Sequence, residues 1–195
     1  MEQQAVIDFF DRAAANWDAQ LVRNEAVIGK ILDNAGLRPG VSVLDVACGT
    51  GVLIPDYLKR GAARVTAIDI APEMARIARE KFPQENVTVL CGDAAQTRFE
   101  TPFDCIMIYN AFPHFPEPER LIAHLAGLLT PGGTLTVAHG LSRSALDAHH
   151  EKTARAVSNG LLPVETLAGL FAKHLTVTVQ ISDGDMYQVV GQRRL

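Results

Sequence analysis

The chain has 195 residues, of which 48% are hydrophobic and 21% charged, and its formal net charge is −4. This composition is typical of a globular protein, and the length is most simply that of one domain with a full core. The acidic balance, without any block of basic residues, disfavours a nucleic-acid partner. No apolar run approaches the roughly 20 residues that span a membrane, and no signal-peptide pattern is present. We therefore expect a cytoplasmic protein without a membrane partner, and the oligomeric state stays open.

Predicted helices and strands alternate along most of the chain. Apolar residues at helical spacing predict two amphipathic helices first, and short apolar runs rich in valine and isoleucine predict strands. The helices are predicted over 4–18, 20–35, 52–59, 72–81, 117–129, 142–157 and from 163, and the strands over 41–46, 64–68, 87–90, 103–109, 134–138, 175–181 and 186–191. Residues 130–133 are predicted to form a turn. The alternation indicates an α/β fold.

The first predicted strand is followed by a turn rich in glycine. Residues 47–51 are Ala-Cys-Gly-Thr-Gly, too small and too rich in glycine to continue a strand. Open parallel sheets bind nucleotide-like ligands at such a point, outside the carboxyl ends of their strands. Glycine lets the backbone approach a ligand, and N–H groups at a helix start can meet a polar group. The carboxylate of Asp45 is poorly placed beside a pyrophosphate and suits a ligand with an ammonium group.

The stretch from Val43 to Gly51 resembles motif I of the class I S-adenosylmethionine-dependent methyltransferases. Other stretches resemble further motifs of that family, and the resemblance is strongest over 43–53, 67–74, 92–94 and 129–137. It implies a Rossmann-like, doubly wound sheet of seven mostly parallel strands with an antiparallel edge strand and helices on both faces. It also implies a single domain over 1–195, with an N-terminal helical lid at 1–35, a core at 36–195 and a candidate active-site cap at 140–162.

The resemblance implies that the chain binds S-adenosylmethionine and releases S-adenosylhomocysteine. The residues expected to bind this cofactor are Asp45, Ala47, Gly49, Thr50, Gly51, Asp69, Ile70, Met74, Asp93, Ala94 and Asn110. Asp69 is expected to accept hydrogen bonds from both ribose hydroxyls, and Asp93 to accept one from the adenine amino group. The alternative for Asp69 is that it merely caps the helix that follows it.

Histidines are expected near the methyl acceptor in the site. The catalytic candidates are His114, His139 and His150, with His114 the best candidate for a general base because it lies on the loop after the fourth strand. The alternative is that His114 is a loop residue bonded to the backbone. A metal held by several histidines is less favoured, because the spacing from His139 to His149 is not a recognised metal-ligand spacing.

Aromatic residues near the N-terminus and after the fourth strand are candidates for a lid or for substrate contacts. In many small-molecule methyltransferases an N-terminal helical segment lies over the cofactor. The residues expected to serve as lid or substrate contacts are Phe10, Trp17, Phe115 and His149. Plain packing of Phe10 and Trp17 against the core is the competing interpretation.

The sequence therefore predicts an enzyme that transfers a methyl group from S-adenosylmethionine to a small molecule. The attacking atom, carbon, oxygen, nitrogen or sulfur, stays open. The loop after the fourth strand lacks the Asn/Asp-Pro-Pro-Tyr/Phe sequence typical of enzymes that methylate amino groups of nucleic-acid bases or glutamine. A non-catalytic S-adenosylmethionine-binding module, acting as a subunit or sensor, is the alternative. A nicotinamide dehydrogenase is disfavoured because the turn lacks a third glycine.

Overall fold

The computed structural model describes residues 2–142 and 157–195. Its helices are α1 (Gln3–Gln20), α2 (Glu25–Asn34), α3 (Ile54–Lys59), α4 (Pro72–Lys81), α5 (Pro118–Gly127) and α6 (Val164–Ala172). Its strands are β1 (Ser42–Val46), β2 (Arg64–Asp69), β3 (Val87–Cys91), β4 (Phe103–Tyr109), β5 (Leu129–His139), β6 (Thr176–Ser182) and β7 (Tyr187–Gln192). A 3₁₀ helix, Phe112–His114, follows β4.

The strands form one seven-stranded sheet in the order β3-β2-β1-β4-β5-β7-β6. Strands β1 to β5 pair in parallel, and β7 runs antiparallel to both β5 and β6. The predicted seven-stranded, mostly parallel sheet with antiparallel pairing at one edge is therefore confirmed. The chain winds outward in one direction from β1 and in the other from β4, so a crevice opens where these two strands end.

The central strands are apolar because both of their faces are covered. In β1, every residue after Ser42 is buried. One face of the sheet packs against a cluster that includes residues of α5 and α6, and the other face packs against residues of α2, α3 and α4. Parallel strands between two helical layers contain continuous hydrophobic runs for this reason.

Two predicted boundaries were wrong by five residues each. Helix α2 begins at Glu25 rather than at residue 20, because the side chain of Asn24 accepts a hydrogen bond from the Val27 N–H and caps the helix. Strand β5 begins at Leu129 and includes the predicted turn at 130–133. This segment stays in the sheet because the Arg193 N–H donates to the Gly133 carbonyl at 2.8 Å. The helix predicted over 142–157 lies almost entirely outside the described residues.

A carboxylate joins three strands at the amino end of the sheet. Asp104 Oδ2 accepts from the backbone N–H and the hydroxyl of Ser42, each at 2.8 Å, and Oδ1 accepts from the Thr130 hydroxyl at 2.9 Å. Partial burial raises the pKa of Asp104, but the hydrogen bonds from Ser42 and Thr130 outweigh it and hold the pKa below its usual value. This end of the sheet is therefore fixed by the chain's own donors.

None of the helices within the described residues combines the length and the apolar character that crossing a membrane requires.

Candidate functional site

A cavity of about 330 Å³ opens at the carboxyl end of the sheet, where β1 and β4 diverge. The segments that follow β1, β2, β3 and β4 form its floor and walls, and α1 lies over it. The predicted cofactor residues that line this cavity are Asp45, Ala47, Gly49, Asp69, Ile70, Met74, Asp93, Ala94 and Asn110. The fold thus brings residues from four separate loops into one site.

Thr50 and Gly51 are predicted cofactor residues that do not line the cavity. The buried Thr50 hydroxyl donates to Asp18 Oδ1 at 2.5 Å, which ties the glycine turn to α1. Gly51 has φ +84°, and a Cβ there would lie 2.5 Å from the ring of Phe82. Thr50 therefore shapes the turn through its bond to α1, and Gly51 through the space that only glycine leaves beside Phe82.

Asp69 fixes the glycine turn against the end of β2. Its Oδ2 accepts from the Gly49 N–H at 2.8 Å, and its Oδ1 accepts from the Ala71 N–H at 2.9 Å. Burial raises the pKa of Asp69 to about 6, although these two hydrogen bonds act to lower it. Since Ala71 immediately precedes α4, Asp69 makes a bond at the helix start and lines the cavity at the same time.

Asp45 is a buried carboxyl at the base of the cavity, with 2% of its surface exposed. Burial raises its pKa to about 8, the hydroxyl of Tyr57 acts to lower it, and the nearby charge of Asp69 raises it further. No lysine, arginine or histidine within the described residues forms an ion pair with it. Burial therefore favours the protonated form of this carboxyl, and a cation in the cavity would favour its ionised form.

Asp93 organises the loop after β3. Its Oδ1 accepts from the Ala95 N–H at 2.9 Å, and its Oδ2 accepts from the side-chain amides of Gln96 at 2.7 Å and Gln3 at 2.9 Å. Because Gln3 is the first residue of α1, this carboxylate also holds the start of that helix beside the cavity.

Helix α1 covers the cavity and is attached to the loops around it. Besides the bond between Gln3 and Asp93, Asp11 Oδ1 accepts from the Glu73 N–H at the start of α4 at 2.9 Å. The Trp17 indole nitrogen lies 3.8 Å from the point where a Cβ on Gly49 would be. The covering position matches the predicted lid segment, and a lid function stays a prediction.

Phe10 links this helix to the loop after β4. Its ring centroid lies 5.7 Å from that of Trp17 and 5.0 Å from that of His114, both in edge-to-face arrangements. Phe10, Trp17 and Phe115 all line the cavity. These aromatic residues therefore pack together and contact the cavity.

His114 lines the cavity, and its ring is oriented by the backbone. Its Nδ1 lies 2.6 Å from the Val157 carbonyl oxygen. Because a carbonyl only accepts, Nδ1 carries the proton, and in the neutral ring Nε2 is the basic nitrogen. The backbone bond expected of a structural loop residue is present, and the ring also lines the cavity.

Within the described residues, the structure places none of the other candidate histidines at the cavity. His139 is fully buried on β5 and does not line the cavity, since its ring faces that of Tyr187 with centroids 6.0 Å apart. His149 and His150 lie outside the described residues. Within residues 2–142 and 157–195, no group of three His, Cys, Asp or Glu side chains could hold a metal ion.

Two non-glycine residues with positive φ lie at the ends of β1 and β4. Ala47 and Asn110 both have φ +55°, a conformation that L-residues rarely adopt. The Asn110 side chain accepts from the Gly140 N–H at 2.9 Å, which supports this conformation. Such strain is concentrated at ligand sites, and both residues line the cavity.

Several cavity residues were not anticipated from the sequence. Tyr109 ends β4, and Glu117 and Arg120 form an ion pair of 3.2 Å at the start of α5. The sequence signal available for Tyr109 was its position at the end of a strand, and for Glu117 and Arg120 it was their position at the start of a helix. Gln3 offered none, because its contact with Asp93 spans 90 residues.

Comparison with known proteins agrees with this geometry. Residues 43–133, which run from β1 to the start of β5, match a protein family described as a methyltransferase domain. The chain is 33% identical to a malonyl-[acyl-carrier protein] O-methyltransferase of Acetivibrio thermocellus over 129 residues, which are 65% of this chain and 46% of that protein. The chain thus spans less than half the length of this curated relative.

Solved structures share the fold across nearly the whole chain. The complex of the Haloferax volcanii Trm112 methyltransferase activator with a methyltransferase matches with a TM-score of 0.84 and 19% identity, covering 95% of this chain and 98% of that one. The N-methyltransferase NodS from Bradyrhizobium japonicum, bound to S-adenosyl-L-homocysteine, matches with a TM-score of 0.76 and 16% identity, covering 96% and 97%. At these identities the likeness shows the fold.

Proposed function

We propose that the chain, whose residues 43–133 match a methyltransferase domain, is a class I S-adenosylmethionine-dependent methyltransferase that transfers a methyl group from S-adenosylmethionine to a small-molecule acceptor. The observation that carries this proposal is the convergence of three carboxyls. Asp45, Asp69 and Asp93 come from β1, from β2 and from the loop after β3, and all line one cavity. Because β1, β2 and β3 are neighbours in the sheet in that order, the three carboxyls follow one another along its edge, which fits an amino group, a ribose and an adenine in turn.

The chemistry of these three groups fits the cofactor. A buried carboxyl without a cationic partner among the described residues favours an ammonium group, which suits Asp45. Each oxygen of Asp69 already accepts one backbone N–H, and each retains the capacity to accept a ligand hydroxyl. Ile70 and Met74 supply apolar surface beside the loop of Asp93, as an adenine ring requires.

The reaction requires alignment more than strong acid or base chemistry. When bound, S-adenosylmethionine supplies an electrophilic sulfonium methyl group. Helix α1 covers the cavity and would exclude water from it. His114 presents a basic Nε2 while its Nδ1–H is held by the Val157 carbonyl, so it is suited to take a proton from the acceptor.

We propose an oxygen nucleophile as the first acceptor class to test. The relative from Acetivibrio thermocellus carries the name of an O-methyltransferase. A hydroxyl acceptor must lose its proton as its oxygen takes the methyl group, and the ring of His114 lines the cavity where it could accept that proton.

Calorimetric titration with S-adenosylmethionine and with S-adenosylhomocysteine tests the cofactor assignment. We expect micromolar binding of both ligands, and the absence of binding to either would overturn the proposal. Transfer of a labelled methyl group to phenols, carboxylic acids, thiols and amines then tests catalysis. Binding of both ligands without transfer to any acceptor would instead support the non-catalytic binding module.

A further inference from the structure

Tyr57 is a buried residue of α3 to which the proposed reaction assigns no role. Its side chain is 0% exposed, and its hydroxyl makes no hydrogen bond of standard geometry to any residue in the described ranges. A buried hydroxyl without a partner costs about 1–3 kcal/mol. Since phenylalanine would fill the same apolar space without this cost, the hydroxyl indicates a role beyond packing.

The group that acts most strongly on this hydroxyl is the carboxyl of Asp45. Burial raises the pKa of Tyr57 well above its usual value, and the next causes are the charge of Asp45 and a hydrogen-bonding interaction with its side chain. The two groups therefore interact, although outside standard hydrogen-bond geometry. Asp45 lines the cavity and Tyr57 does not, so the phenol lies behind the carboxyl as seen from the cavity.

The other ionisable groups around this pair are acids. Cys48, on the glycine turn, has a thiol pKa raised first by burial and then by the charges of Asp45 and Asp69. Asp56, on α3, also acts on Tyr57 and is itself paired with Arg23 at 2.9 Å. The Cys48 thiol is a weak donor and already donates to the Gly49 carbonyl at 3.5 Å, so Tyr57 is the stronger donor available to an ionised Asp45 at neutral pH.

We propose that Tyr57 is a positioning residue that holds Asp45 in its ionised form when a ligand amino group binds in the cavity. This inference rests on the proposed function, since the amino group is that of S-adenosylmethionine. The carboxylate would then receive the ammonium from the cavity and the phenol O–H from behind. A small shift of the Asp45 side chain on ionisation would complete the second bond.

The test is Tyr57→Phe, assayed by calorimetric titration with S-adenosylhomocysteine between pH 6 and pH 8. A lost hydrogen bond to a charged group predicts a loss of affinity of roughly tenfold at pH 7. Because Asp45 must ionise on binding, affinity for the wild-type protein should rise with pH, and this rise should shift to higher pH in the variant. The amino group of the ligand titrates identically in both experiments, so any difference between the two pH profiles of affinity comes from the protein.

Tyr187→Phe is the matched control. It removes a hydroxyl from an equally buried tyrosine, one that donates to the Leu162 carbonyl at 3.0 Å and lies away from the cavity. This variant should keep the wild-type affinity and pH profile. Thermal unfolding should show that Tyr57→Phe is folded, because it removes a buried hydroxyl that costs stability.

The possible outcomes distinguish a failure of the proposed function from a failure of the role proposed for Tyr57. If the wild-type protein binds neither S-adenosylmethionine nor S-adenosylhomocysteine, the proposed function fails. If the wild-type protein binds and Tyr57→Phe binds with the same affinity and the same pH profile, the role of Tyr57 is refuted while the proposed function stands. An equal loss of affinity in Tyr187→Phe would also refute the role of Tyr57, because removing a buried tyrosine hydroxyl away from the cavity would then weaken binding just as much.

Discussion

Two aspartates on the neighbouring strands β1 and β4 lie at opposite ends of the same sheet and differ in what surrounds their carboxyls. Asp104, at the amino end, accepts three hydrogen bonds from Ser42 and Thr130, and its pKa is lowered despite partial burial. Asp45, at the carboxyl end, is more deeply buried, has no ion-pair partner among the described residues, and has its pKa raised to about 8.

The difference separates a carboxylate that stabilises the fold from one that we propose binds a ligand. The chain satisfies Asp104 completely, so its charge contributes to the native state. At Asp45 burial disfavours the ionised form more than the hydroxyl of Tyr57 favours it. Ionisation of Asp45 therefore lowers the stability of the folded state unless a cation binds. Perturbed carboxyls in a cleft are candidates for functional sites for this reason. The predictions below test this division from the largest expected effect to the smallest.

Asp69→Ala should show the largest effect at the carboxyl end. The variant loses two charge-assisted hydrogen bonds to the ligand, so affinity for S-adenosylmethionine should fall by roughly 100-fold or more. Calorimetric titration measures this loss. Asp183→Ala is the control, because Asp183 Oδ1 also accepts two backbone N–H groups but lies away from the cavity. Unchanged affinity in Asp69→Ala would place the ribose elsewhere.

His114→Ala tests whether the carboxyl end also performs chemistry. Loss of a general base should lower kcat by roughly 100-fold, while affinity for the cofactor changes by no more than about threefold. His114→Asn retains a side-chain donor for the Val157 carbonyl but lacks a basic nitrogen, so it should lose as much turnover as the alanine variant. Recovery of turnover in His114→Asn would make the residue structural.

The sequence was most informative where the structural unit is local. The strand, the glycine turn and the following helix lie within about 20 consecutive residues, so the positions of Asp45 and Gly49 at the end of β1 follow from spacing alone. The alternation of strands and helices likewise indicated an α/β fold, because parallel strands need crossover helices, and the resemblance to the family implied the seven-stranded sheet. These features depend on neighbours in sequence.

Contacts between distant segments could not be predicted in the same way. The orientation of His139 depends on the packing of Tyr187, and the role of Thr50 depends on Asp18 of α1. Similarly, residues 130–133 belong to β5, where Arg193, about 60 residues later in the chain, pairs with Gly132 and Gly133. Sequence spacing carries no information on which of these distant partners meet.

Asp45→Asn should stabilise the protein while weakening ligand binding. The pKa of Asp45 is raised in the folded state, so its destabilising effect is absent below pH 4 and grows as the pH rises towards 8. Allowing for relaxation around the carboxylate, the variant should be more stable at pH 8 by about 2 kcal/mol. Denaturant unfolding at pH 5 and pH 8 measures this, and a difference that does not grow with pH would contradict the burial argument.

Asp104→Asn should give the opposite result at the amino end of the sheet. An amide group facing the donors of Ser42 and Thr130 loses at least one hydrogen bond, so stability should fall by about 1–2 kcal/mol. Because the pKa of Asp104 is lowered in the folded state, the contribution of its charge is present above the ordinary aspartate pKa and is lost as the pH falls through the folded value. The difference between variant and wild type should therefore shrink in acid. Affinity for S-adenosylmethionine should stay unchanged, since Asp104 does not line the cavity, and a loss of affinity comparable to that of Asp69→Ala would show that the two ends of the sheet are not independent.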